Sequence, residues 1–187
     1  KFVESHEGGV MTILSARQTG KNETAANLQR RHLWKNSLSD SIKSWIRTAP
    51  THEPQIVNSK KRLEELMRLD RKNVAHDPMF LQAKIQKSEG YIWRHGNATV
   101  EFMSSGDHSN VVGATASECL DMDEAHKISK NKFDEDFAPF TASTNAATLL
   151  WGVASDGLDT IQAYRDINRE DGNEGPNLYY PCDVWMD

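Results

Sequence analysis

Cysteine is scarce in this sequence. Only Cys119 and Cys182 occur in 187 residues, far apart and with no Cys-x-x-Cys pair, so neither a disulfide framework nor a structural zinc site has support. A reducing cytosol is the natural setting. Long apolar runs are missing as well. Nothing approaches the roughly 20 residues needed to span a bilayer, and the N-terminus lacks the charged start, apolar middle and small-residue cleavage pattern of a secretory leader. Positive charge is not in excess. The formal net charge of −5 excludes a chain that coats nucleic acid with its whole surface, while leaving room for a small local basic contact. The seven histidines form no His-Glu-x-x-His and no ligand-like cluster. There is no internal repeat and no low-complexity segment.

What remains is enough for one domain, since 187 residues bury a substantial core without metals or disulfides to staple it. The start at Lys1 without an initiator Met, and the stop at Asp187 just after a strand-like stretch, suggest a fragment of something longer.

Val10 to Leu14 is a short β-prone run, entered through Gly8-Gly9 and left through the polar stretch Ser15 to Gly20. Lys21 to about Trp34 follows with the composition of a helix, carrying Ala25, Leu28 and Leu33. Ser44 to Thr48 predicts a second strand, and Gln55 to Leu69 a helix with Ile56, Leu63, Leu66 and Met67 on one side. Tyr91 to Arg94 and Thr99 to Ser104 flank His95-Gly96-Asn97 at the spacing of an antiparallel hairpin. Ser117 to Asp123 and Thr148 to Val153 read as further strands, Lys130 to Phe140 as a charged, partly helical segment, Leu158 to Arg169 as a helix, and Tyr179 to Trp185 as a last β-prone stretch. Strands alternating with helices predict an α/β domain with a mainly parallel sheet and helices on both faces.

Three segments carry chemistry. Ser15-Ala16-Arg17-Gln18-Thr19-Gly20-Lys21-Asn22 compares with the phosphate-binding pattern G-x-x-x-x-G-K-[ST]. It departs from that pattern twice. Ser15 stands at the first glycine, and Asn22 stands where a hydroxyl would meet magnesium. With a strand leading in and a helix starting at the lysine, backbone N–H groups and the positive helix end can face phosphates while Lys21 supplies a point charge. Thr24 cannot replace the hydroxyl, because two residues turn a helix by about 200°; Asn22 could hold the metal through its amide oxygen or through water. An ordinary strand-loop-helix connection is the plain alternative.

The second segment is Leu120-Asp121-Met122-Asp123-Glu124-Ala125-His126. An aspartate at a strand's carboxyl end can orient a magnesium shell while the next carboxylate activates water. Asp123 and Glu124 have that order. Glu118 and Asp121 make the strand more polar than a buried parallel strand should be, and acidic pairs are common on solvated surfaces. The third is the exit of the Thr148 strand, Ala154-Ser155-Asp156-Gly157, where Ser155 could sense a γ-phosphate; a plain polar exit turn is the alternative. Arg17 could stabilise charge developing on a transferred phosphoryl group, or be a surface arginine. The basic groups Lys60-Lys61-Arg62 and Arg71-Lys72 could touch DNA phosphates, and a solvated helix face explains them equally.

Taken together, residues 16 to 23 (Ala-Arg-Gln-Thr-Gly-Lys-Asn-Glu), the stretch from Thr48-Ala49-Pro50-Thr51 to Arg62-Leu63-Glu64-Glu65, Val-Val-Gly-Ala-Thr-Ala at 111 to 116, Asp-Glu-Ala at 123 to 125 and Ala-Ser-Thr-Asn-Ala at 142 to 146 resemble the ATPase domain of tailed-phage terminase large subunits. The resemblance runs through most of the chain. In that family the loop often reads Arg-Gln-x-Gly-Lys. It implies a RecA-like, additional-strand P-loop ATPase that uses ATP and Mg²⁺ to drive double-stranded viral DNA into a procapsid, usually as a homo-oligomeric ring on the portal protein, with a small terminase subunit as partner. The setting implied is the host cytoplasm. By carry-over, residues 15 to 22 would bind nucleotide, with Arg17, Gly20 and Lys21 binding or sensing phosphate, Asp123 serving the magnesium, Glu124 acting as the catalytic carboxylate and Leu149 to Ser155 coupling hydrolysis to movement. Nothing matches the C-terminal nuclease domain of family members, so DNA cleavage is not expected of this chain. Two rivals stand beside this reading. One is a lobe of a helicase, since residues 123 to 126 spell Asp-Glu-Ala-His; the other is a nucleotide-binding structural module without turnover.

Overall fold

A computed structural model describes residues 3, 8–73, 85–88, 91–105, 114–153, 160–170 and 177–180. Among the described residues eight strands form one sheet: β1 (Val10–Ser15), β2 (Lys43–Ala49), β3 (Ile85–Ser88), β4 (Ile92–His95), β5 (Ala98–Ser104), β6 (Cys119–Met122), β7 (Ala147–Gly152) and β8 (Asn177–Tyr180). Their spatial order is β3-β4-β5-β2-β6-β7-β1-β8. From β5 to β8 every neighbouring pair is parallel, and β3 and β4 extend the β5 edge in antiparallel sense. The expected α/β class holds, as does the hairpin, which gains β3 as a third antiparallel strand. Strand β7 lies between β1 and β6, hydrogen-bonded to both.

Helices cover both faces. The long helices α1 (Lys21–Lys35) and α2 (Val57–Asn73) pack together on one side. Helix α3 (Thr160–Glu170) and short turns between Ala125 and Ala142 lie on the other. In a strand, successive side chains point to opposite faces, so β2, β6 and β7 each feed two cores. Trp45, Cys119, Leu149 and Trp151 join the side of α1 and α2, with Ala25, Leu33, Leu63 and Met67. Ile46, Leu120, Met122 and Leu150 join the other side, with Phe133, Phe137, Phe140 and Ile161. The segment expected to be partly helical between Lys130 and Phe140 is helical, as α turns at Lys130–Lys132 and Pro139–Ala142 around a wider π turn at Phe133–Phe137, and it buries those three phenylalanines.

Two expectations shift in detail. The strand expected over Ser117 to Asp123 is confined to Cys119–Met122, all four residues buried. Glu118 lies just before it and pairs with Lys43 at 3.1 Å. The last strand, expected over Tyr179 to Trp185, is Asn177–Tyr180, and residues 181–185 lie outside the described residues. Among the described residues no helix is long and apolar enough to cross a membrane.

Candidate active site

Parallel strands gather their exit loops at one edge, the carboxyl edge where ligands bind in open α/β sheets. At that edge, β1 ends at Ser15 and the chain passes through Ala16 to Gly20 into α1. Ser15 is buried, Ala16 and Thr19 are half-buried, and Arg17, Gln18 and Gly20 are exposed. The Thr19 hydroxyl donates to the Ala16 carbonyl at 2.9 Å, tightening the loop. Gln18 and Gly20 have positive φ, 65° and 81°. Gly20 is the residue before the helix, and glycine adopts this left-handed conformation at no steric cost. No side chain caps the helix start. Its leading N–H groups and positive dipole end therefore face outward beside Lys21 and Asn22, an arrangement suited to anions.

Two strands away, β6 ends at Met122 and delivers Asp123 and Glu124 to the same edge. Asp123 N–H donates to the Thr48 carbonyl at 2.8 Å, and Asp123 Oδ1 accepts from the Glu124 N–H at 3.0 Å. Glu124 has φ of 49° and begins a short helical turn. Its carboxylate pairs with Lys127. Burial alone would raise the Glu124 pKa, but the hydrogen bond and charge of Lys127, with the charges of His126 and Lys21, bring it below the ordinary carboxylate value. Lys21 and Glu124 thus sit within electrostatic reach of each other. Strand β7 ends between them at Gly152, where a Cβ would lie 2.3 Å from Ile161 Cδ1 and 2.9 Å from His126 Nδ1. A side chain here would have to displace Ile161 or His126, so the glycine lets the strand end lie close to the turn that carries Glu124.

A residue singled out by no motif organises the acidic strand. Arg47 of β2 is fully buried on the same face as Asp121, its partner in the β2–β6 register. Its Nη1 pairs with Asp121, and its Nη2 donates to Asp123 Oδ2 at 2.9 Å and to Asn22 Oδ1 at 3.4 Å. Asp121 also accepts from Trp45 Nε1 at 3.1 Å, Trp151 Nε1 at 2.8 Å and Gln29 Nε2 at 3.0 Å. Four donors from β2, β7 and α1 thus explain how a carboxylate survives in the middle of the sheet; without them its burial would cost several kcal/mol. The guanidinium is opposed by burial, but the charges of Asp121 and Asp123 outweigh that and raise its pKa. The signal was present in the sequence: a charged residue in each of two strands otherwise bound for a core implies a partner. What the sequence lacks is the register that pairs them.

Ser155 falls outside the described residues. Among the described residues no group of three or more His, Cys, Asp or Glu side chains could hold a metal by itself. The donor set that does converge, the Asp123 carboxylate and the Asn22 amide oxygen, fits Mg²⁺, a hard cation that takes one or two protein oxygens and completes its shell with water and substrate phosphates. A cavity of about 460 Å³ lies under α1, lined by Met11, Leu28 and Leu178 along with Lys21. Ser15 and Thr19 line it too, whereas Asp123 and Glu124 do not, so it adjoins the loop side of the candidate site and not the acidic pair.

No protein-family model and no curated protein matches this chain. Solved structures do. The large terminase of bacteriophage HK97 superposes with a TM-score of 0.70 at 12% identity, over 93% of this chain and 35% of that one. The large terminase ATPase domain of Thermus phage P74-26 gives 0.61 at 15% identity, over 94% of this chain and 77% of that domain. The large terminase of a thermophilic bacteriophage in complex with ADP gives 0.58 at 11% identity, over 97% of this chain and 41% of that one. The chain therefore has the fold of phage large terminase ATPase domains, which is RecA-like, and it spans about a third of the length of the HK97 protein.

Proposed function

We propose that this chain is the ATPase part of a terminase large subunit, hydrolysing ATP to move double-stranded viral DNA into a procapsid. The observation that carries the proposal is the convergence of Lys21 and the uncapped start of α1 with Asp123 and Glu124 across one intervening strand. A strand between the phosphate loop and the acidic pair separates the lysine from the carboxylates by roughly two strand spacings of ~4.8 Å, room for phosphates between them.

In this reading residues 15 to 22 form the phosphate loop, with Lys21 and the N–H groups of α1 holding the β- and γ-phosphates. Arg17, exposed at the loop's crest, balances charge on the transferred group. Asp123 and Asn22 hold Mg²⁺. When bound, Mg²⁺ supplies charge neutralisation on the phosphate oxygens. Glu124 orients the attacking water and accepts its proton at the carboxylate, and its lowered pKa keeps it unprotonated for that role near neutral pH. The segment from Leu149 to Ser155, which begins within β7, couples hydrolysis to movement. The partners that follow are double-stranded DNA, the portal protein, a small terminase subunit and further copies in a ring on the portal. We assign no nuclease activity to residues 1–187, and we take them as one ATPase domain.

Glu124→Gln tests the reading. Measured by calorimetry and phosphate release with double-stranded DNA present, it should keep nucleotide affinity and lose about 100-fold or more in turnover, the scale of a lost general base. Wild-type hydrolysis by this variant would overturn the mechanism. Nucleotide binding by the unaltered chain with no phosphate release under any of these conditions would point instead to a binding module.

A further inference from the structure

Arg47 touches two residues of the proposed site with a single nitrogen. Nη2 reaches Asp123 Oδ2 at 2.9 Å and Asn22 Oδ1 at 3.4 Å, while Nη1 is committed to Asp121. The guanidinium has little freedom to swing. Its anchor Asp121 is 0% exposed and held by Trp45, Trp151 and Gln29 as well. The oxygens it gathers come from residues far apart in sequence, one at the start of α1 and one just past β6.

We propose that Arg47 is a positioning residue for a divalent cation: anchored on Asp121, it holds Asp123 and Asn22 on one nitrogen, so that both residues that would meet the cation are restrained near one point before it arrives. The proposal rests on the nucleotide-site reading given above. The physical argument is one of preorganisation. Two electron-rich oxygens repel at close range, and a small cation with strict geometry gains most from ligands that need no rearrangement. A planar guanidinium can bridge two carboxylates at fixed angles, which an ammonium cannot. Each carboxylate oxygen has two lone pairs, so Asp123 can keep its bond to Nη2 and still offer an electron pair elsewhere. Residues that orient metal ligands in this way typically account for 10–100-fold in metal affinity.

A purely structural Arg47, present only to neutralise Asp121, would affect folding and leave metal dependence alone. The two roles separate in a binding experiment on the whole chain. The affinity for a nonhydrolysable ATP analogue is measured in EDTA and in Mg²⁺, and the ratio gives the metal increment; Mn²⁺ titration by electron paramagnetic resonance, with the analogue bound, gives metal affinity directly. Arg47→Lys keeps a buried charge for Asp121. It should lower the increment and the Mn²⁺ affinity about tenfold or more, with binding in EDTA changed by less than about twofold. In an Asp123→Asn background it should add only the lesser loss that comes through Asn22, and none once Asn22→Ala is added as well. Retention of the wild-type increment by Arg47→Lys while Asp123→Asn loses it would overturn the proposal alone, as would an undiminished loss from Arg47→Lys in the Asp123→Asn, Asn22→Ala background. Asp123→Asn with an unaltered increment would strike instead at the nucleotide-site reading. If Arg47→Lys does not fold, a crystal structure of the unaltered chain with Mg²⁺ and the analogue decides: Nη2 still bonded to Asp123 supports the proposal, and a guanidinium turned away from Asp123 overturns it.

Discussion

Trp151 of β7 donates its indole N–H to Asp121 Oδ1 of β6 at 2.8 Å. The bond joins β7 to the strand that carries the acidic pair. It is one of four donors on a carboxylate with no access to water, and the count sets the expected magnitudes. Asp121→Ala leaves the Arg47 charge and three neutral donors short of a partner inside the core, which should cost about 3–5 kcal/mol. Trp151→Phe removes one donor of four and keeps the packing, so about 1 kcal/mol is expected. Urea midpoints of the two variants check the order. Equal losses would mean that Asp121 is not the hub described.

Lys127 offers a separate test through Glu124. Its hydrogen bond and charge are the largest influences lowering that carboxylate's pKa, against burial, which raises it. With Lys127→Met the lowering weakens while the burial stays, so the pKa should rise. The acid limb of the kcat/KM profile for ATP hydrolysis should move to higher pH, with activity above neutrality largely kept. An acid limb at its original position would remove Glu124 from the role of base.

Acid sensitivity of the fold should come from two buried histidines. His32 donates from Nε2 to the carbonyls of Lys43 and Thr99, both at 3.1 Å, and meets the Asn36 amide through Nδ1 at 3.0 Å. His95 is fully buried with its ring edge-on to Trp34, and neither ring nitrogen has a partner among the described residues. Burial lowers both pKa values. The unfolded chain therefore takes up protons below about pH 6.5 that the folded chain refuses. Stability is fully present above that pH and falls as pH drops through it, by about 1.4 kcal/mol per pH unit for each proton withheld. Melting temperatures at about pH 7.5, 6.5 and 5.5 should decline in that order, and His95→Phe should flatten the decline. A melting temperature that rises toward acid would contradict the assignment.

The strand and helix pattern was legible because apolar residues in β1, β2, β5 and β7 are bounded by turn-forming residues. β3, Ile85–Ser88, escaped because Ile-Gln-Lys-Ser carries almost no apolar signal at a sheet edge. The segment from Lys130 to Phe140 was legible as helical from the spacing of its aromatics, but the wider π turn at Phe133–Phe137 was not, since it shows in the backbone bond from Ala138 N–H to the Phe133 carbonyl and in no residue pattern. Within the candidate site, Lys21, Asp123 and Glu124 could be named because each lies at the end of a recognisable strand or loop. Arg47, Gln29 and Trp151 could not. Their importance comes from converging on Asp121 across three elements, and a linear sequence does not display which residues of different strands stand side by side. The polar strand that weighed against the acidic pair turns out to be polar because Asp121 has this buried partner.

The placement of β1 has a consequence for how the chain matures. Val10 pairs with Thr148 and Thr12 with Asn177, so the first strand finds both neighbours only among the last residues described. Such distant pairings must close large loops before they return any energy, which makes assembly slow and late. During synthesis the loop from Ser15 to Gly20 would leave the ribosome well before the strands that flank β1 exist. A nascent chain stopped ahead of Ala147 would present Lys21 at the start of a helix whose leading strand is still unpaired, with nothing to hold it opposite Asp123.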